Sequence, residues 1–106
     1  MKLLFVTKSD LKGKKKKAVF NVEGKRKTVH FGGVRPDGKP YLDYTKGATE
    51  ERRKDYIRRH KASKSEMKAT RNWRDPMAAG TLSRYLLWED RSFPNAVTKY
   101  KRKFKL

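Results

Sequence analysis

The chain has 106 residues, room for one compact domain, and carries 30 Lys and Arg against 11 Asp and Glu, a formal net charge of +19. Hydrophobic residues make up 35% and charged residues 39%, where about 25% charged is typical, so the expected core is thin and like-charge repulsion opposes compaction. There is no cysteine, which excludes disulfides and thiolate zinc sites.

The charge excess is spread along the chain: +9 over residues 1–40, +5 over 41–80 and +5 over 81–106. Such a chain is expected to meet an anionic partner, with nucleic acid first, an acidic protein surface next and an anionic membrane third. The N-terminal apolar run, Leu3 to Val6, is shorter than the roughly 7–15 residues of a secretory leader. No stretch approaches the roughly 20 residues of a membrane span. A soluble, non-secreted protein is therefore expected.

Leu3 to Thr7 reads as a strand, and Lys14 to Lys17 as either a solvated loop or a contact to phosphate or carboxylate. Residues 18–31 read as a β-hairpin around Gly24-Lys25, a pair that suits a two-residue type II′ turn. That turn sets Val22 opposite Lys27, Phe20 opposite Val29 and Ala18 opposite Phe31. One face then carries Ala18, Phe20, Val22, Val29 and Phe31. Gly32-Gly33 ends the second strand, Pro36 to Lys39 reads as a turn, and Pro40 to Thr45 as an extended or irregular segment.

Thr49 followed by Glu50 and Glu51 marks a helix start, since Thr caps well and acids favour the first turn. Tyr56, Ile57 and His60 form its narrow apolar stripe among basic residues. Residues 62–75 are polar, with Met67 and Trp73 as their only large apolar anchors. Asp75-Pro76 reads as the cap and first residue of a second helix carrying Leu82, Tyr85, Leu86 and Trp88. Ser92-Phe93-Pro94 opens a last helix whose Phe93, Val97, Tyr100 and Phe104 make an apolar seam. The expected fold is α+β within one domain: an N-terminal β-hairpin or three-stranded antiparallel sheet (hairpin 18–31), then two or three helices across 49–104.

Nothing in the chain reads as catalytic machinery. There is no phosphate loop ending in Lys-Ser/Thr and no G-x-S-x-G, and His30 and His60 belong to no metal-ligand pair. No enzyme, cofactor, metal or small-molecule substrate is expected. Binding chemistry is abundant instead, because Arg grips phosphate or carboxylate through two parallel hydrogen bonds and Lys adds charge. The candidate polyanion-binding residues are Lys14, Lys15, Lys16, Lys17, Lys25, Arg26, Lys27, Arg52, Arg53, Arg58, Arg59, Lys101, Arg102, Lys103 and Lys105. Trp73, Trp88 and Phe93 are the candidates for packing against a partner. The aromatics Phe20, Phe31, Tyr56, Tyr85, Phe93 and Phe104 fall in phase with apolar stripes and read as packing.

Four blocks occur in one order: Phe31-Gly32-Gly33, Tyr41 to Thr45, Glu51 to His60, and Ser83 to Trp88. With them the chain resembles, over roughly residues 27–100, a family of small basic proteins encoded by large DNA viruses of algae and amoebae. The resemblance implies a minor capsid component without catalytic residues. Its site would be the inner capsid face of the virion, after synthesis in host cytoplasm, with other capsid proteins and packaged DNA as partners. Where residues 74–81 depart from that pattern, the helix start is left open. Two functions follow. A capsid cement protein, favoured by the resemblance, is preferred; the alternative is a chromatin-like or ribosomal phosphate neutraliser, in the nucleus or on the ribosome, favoured by composition.

Overall fold

The computed structural model describes all 106 residues. Strands β1 (Lys2–Lys8), β2 (Lys14–Val22) and β3 (Lys25–Gly33) form an antiparallel meander in the order β1-β2-β3. A 3₁₀ turn (Tyr44–Lys46) leads to helices α1 (Glu50–Lys61), α2 (Lys64–Ala69), α3 (Ala79–Leu82) and α4 (Phe93–Phe104). Between α3 and α4 the chain continues as a widened π turn, Ser83–Leu87. The architecture is the expected α+β one, with the helical part divided into more and shorter pieces.

The sheet follows from its alternation of apolar and polar residues. Leu3 pairs with Phe20, Val6 with Ala18, and Ala18 with Val29. Alternate side chains share a face, and a bulge between Leu3 and Phe5 brings Leu3 into phase with Val6, so Leu3, Val6, Ala18, Phe20, Val29 and Phe31 point the same way. They pack on Leu82, Leu86, Leu87 and Tyr100 from the helical half, in one core cluster. Only 15 of 106 residues are buried, which makes the core as thin as the composition implies.

The hairpin turn is Glu23-Gly24 rather than Gly24-Lys25. Val22 pairs with Lys25, Phe20 with Lys27, and Lys16 with Phe31. Both turn residues have positive φ, 52° at Glu23 and 82° at Gly24, as a type I′ turn requires. Asn21 reinforces it, its Oδ1 accepting the Gly24 N–H at 2.9 Å. Each expected partner is displaced by two residues, so every side chain stays on its expected face.

Thr49 caps α1 and Ser92 caps α4, each through its hydroxyl. The expected helix start at Asp75-Pro76 moves to Ala79. The Asp75 carboxylate accepts the Met77 N–H at 3.0 Å and closes a turn ahead of the helix. Residues 62–75 contain α2, then three consecutive left-handed residues, Arg71, Asn72 and Trp73, with φ of 53°, 59° and 61°. A Cβ on Gly80 would lie 2.8 Å from the Thr70 methyl, so glycine is what lets α3 approach the end of α2. The seam of α4 packs into the core as expected, and the Tyr100 hydroxyl donates to the Pro76 carbonyl at 2.5 Å.

Candidate polyanion-binding site

A cleft of ≈ 710 Å³ opens between the end of the sheet, the Tyr41-Leu42 loop, α1 and the π turn. Its floor is an aromatic stack built from α1 and the residue after the π turn. Tyr56 lies nearly parallel to Trp88 at 4.4 Å, and His60 stacks on Tyr56 at 4.0 Å. Spacing of four residues puts Tyr56 and His60 one above the other on α1. Burial holds the Tyr56 phenol above its usual pKa, with the Glu66 charge adding to it, so the ring stays neutral in the stack.

Both ends of the stack are anchored by carboxylates. Glu66 lies 2.6 Å from the His60 Nδ1 and accepts the Trp73 indole N–H at 3.2 Å. At the other end, the Arg53 Nε donates to the Trp88 carbonyl at 2.8 Å. Arg53 and Arg84 together hold Glu89, at 3.1 and 2.7 Å. Partial burial disfavours the Glu89 charge, yet hydrogen bonds and charge from Arg84, then Arg53, outweigh it and keep the carboxyl below its ordinary pKa. These polar contacts explain why Tyr56 and Trp88 hold their orientation at a half-exposed site.

The candidate cations fall into three groups. Lys14, Lys15, Arg52 and Arg59 line the cleft, and of these Lys15 is committed inward, to the buried Asp43 carboxylate at 2.8 Å and the Tyr41 carbonyl. Lys25, Arg26 and Lys27 at the hairpin tip, and Lys101, Arg102, Lys103 and Lys105 at the end of α4, are exposed but away from it. Lys103 rests on the Tyr85 ring at 5.1 Å. The third group is structural. Lys16 lies 4.3 Å over Phe93, and burial, with the neighbouring Lys46 charge, depresses its pKa. Lys17 pairs with Asp10 at 3.5 Å, Arg58 with Asp55 at 2.7 Å, and Arg53 with Glu50 and Glu89.

Seven of the 11 carboxylates sit in ion pairs with Lys or Arg and an eighth, Glu66, is hydrogen-bonded to His60, but only seven of the 30 Lys and Arg side chains are paired. The remaining 23 cations have no carboxylate partner. Trp73 is buried, Trp88 is in the stack and Phe93 lies under Lys16. The three aromatics expected to grip a partner therefore pack within the chain. Sequence reading missed Tyr41, Tyr56 and His60 as site residues. The usable signal was Arg52 and Arg59 seven apart on α1, with Tyr56 and His60 beside them on neighbouring turns.

No group of His, Asp or Glu is arranged to hold a metal ion, and no helix is long and apolar enough to cross a membrane. Fold and cleft together define a small, strongly basic α+β protein with an aromatic-floored hollow. Residues 4–60 match a family of unknown function (DUF5754), and the chain belongs to that family. The match spans the sheet from Leu4, the Tyr41-Leu42 loop and all but the last residue of α1. No curated protein and no solved structure matches the chain.

Proposed function

We propose that the protein binds nucleic acid by neutralising phosphate, largely without regard to sequence. The observation that carries this reading is the imbalance of pairing. Eight of the 11 carboxylates are engaged internally, whereas 23 Lys and Arg side chains have no carboxylate partner, 11 of them on the hairpin tip, α1 and the end of α4. A surface in that state binds polyanions by releasing their counterions. The internal use of Trp73, Trp88 and Phe93 weighs against a partner gripped through those rings.

The test is duplex DNA affinity measured across a range of salt on unrelated sequences. The expected log–log slope is steep, about −0.9 for each phosphate contacted, and similar for every sequence. Undetectable binding of both duplex and single-stranded DNA at about 0.15 M salt, or a slope near zero, overturns the proposal.

A second reading, cement between capsid proteins of a large DNA virus, is favoured by a separate observation. Leu4, Phe5 and Leu11 are exposed apolar side chains on and just after the edge strand β1. On that reading, replacing Leu4 and Phe5 with Ser costs incorporation into particles while DNA affinity is unchanged.

A further inference from the structure

The cleft is the middle of a longer feature. A hollow of ≈ 410 Å³ lined by Arg35, Lys46, Tyr41, Leu42 and Arg52 adjoins it on one side. Another of ≈ 570 Å³, lined by Arg59, His60, Ser63 and Ser65 among others, adjoins it on the opposite side. Arg52, Tyr41 and Leu42 form the wall between the first hollow and the cleft, and Arg59 and His60 the wall between the cleft and the third. The three hollows thus run end to end along α1.

The two dividing arginines are seven residues apart. At 1.5 Å rise per residue they are separated by about 10.5 Å along the helix, and seven residues return to the same face within about 20°. Both are exposed and neither has a carboxylate partner. The two carboxylates that also line the groove are already engaged, Asp55 by Arg58 and Glu66 by His60 and Trp73. Guanidinium groups therefore stand at the junctions, and aromatic or apolar surface lies between them. Tyr41 is 52% exposed and rides over Gly33, where a Cβ would lie 3.1 Å from its ring. It is the one strongly exposed ring along the groove.

We infer that this groove along α1 binds single-stranded nucleic acid, with unpaired bases entering the hollows, one stacked on Tyr41, and phosphates held by Arg52 and Arg59. A chain that alternates flat aromatic groups with negative charges matches the alternation of the walls. Aromatic platforms combined with a cationic track hold single strands of any sequence, because every base has a π-face. A duplex keeps its bases stacked inside and offers nothing to enter the hollows. An acidic peptide offers the charge without the flat groups. The inference rests on the phosphate-binding reading above and adds to it a site and a preference.

The test is fluorescence anisotropy with the full chain at about 0.15 M salt. The probes are labelled oligo(dT) and oligo(U) of about 15 nucleotides, the matching duplex, and polyglutamate. Variants are Tyr41→Ala, the pair Arg52→Gln/Arg59→Gln, and the charge-matched pair Lys25→Gln/Lys101→Gln outside the groove. The expected result is preference for both single strands over the duplex. Tyr41→Ala should weaken single-strand binding at least about fivefold and leave the duplex unchanged. The arginine pair should lower the single-strand salt slope by about 1.4, at about 0.7 per phosphate, while the lysine pair changes it less. Duplex binding equal to single-strand binding, with both pairs alike, overturns the groove and leaves general phosphate binding standing. Absence of binding to any nucleic acid removes both, and tighter binding of polyglutamate than of oligo(dT) overturns the groove in favour of an acidic protein partner.

Discussion

The sheet half and the helical half keep their apolar side chains in place by different means. In the sheet, alternation along β2 and β3 puts Ala18, Phe20 and Phe31 on one face, a bulge in β1 adds Leu3 to it, and ladder pairing brings them together. In the helical half the segments are too short to be stable by themselves, and they are joined by polar clamps. Glu66 ties α2 to His60 and Trp73, while Arg53 and Arg84 converge on Glu89. One half depends on hydrophobic burial and the other on charge as well as burial, so the two should respond differently to substitution and to pH.

The sheet should give the largest effect. Phe20 is fully buried between both strand neighbours and the helical core, and Phe20→Ala should cost about 3–5 kcal/mol. With a core this thin, chemical denaturation of the variant should show a midpoint near zero denaturant or no cooperative transition. An ordinary transition close to wild type would mean that the sheet face contributes little.

Glu89 probes the helical half. Replacing it with Gln leaves Arg53 and Arg84 without their shared anion and should cost about 1–2 kcal/mol, at the low end for a charged hydrogen-bonding group because the site is partly exposed. The pH dependence has a definite sign. The folded-state pKa lies below the ordinary 4.5, so the contribution is full above that value and is lost as pH falls through the folded pKa. Thermal unfolding between neutral and acid pH should show the wild type losing more stability below about pH 4.5 than Glu89→Gln does. Equal losses would break the distinction between the halves.

The smallest effect belongs to the hairpin turn. Glu23 sits at φ 52°, a conformation that Asn adopts more readily. Glu23→Asn should raise the unfolding midpoint, by a free energy of about 0.5–1 kcal/mol, through the sheet alone.

The same contrast decides how far the fold could be read from sequence. Faces of the hairpin were legible because alternation is local to a few residues. Its register was displaced because Gly24 satisfies a type I′ turn as well as a type II′ one, and the choice falls to Glu23 and the Asn21 side chain. Helix α2 was missed although Ser63 and Glu66 carry a capping-box spacing, and Ser63 does cap it. Too few apolar residues follow to show a period. Lys14, Arg52 and Arg59 were read as cations, but nothing local states that Tyr41, Tyr56 and Trp88 meet beside them. Those three come from separate segments, and packing alone unites them.

The π turn at Ser83–Leu87 makes the number of residues in that segment as important as their identity. An α-helix advances about 100° per residue, and a widened turn accommodates one residue more than an α-turn does. Five residues therefore sweep there nearly what four sweep in a regular helix, so deleting one would close the segment into an ordinary helix and leave Trp88 in nearly the same phase. A deletion just beyond the turn has no widened loop to absorb it. Trp88 would then swing by about 100°, off the Tyr56 ring, and the Arg53 contact to its carbonyl would be lost. The segment thus holds one spare residue, and the chain on either side of it holds none.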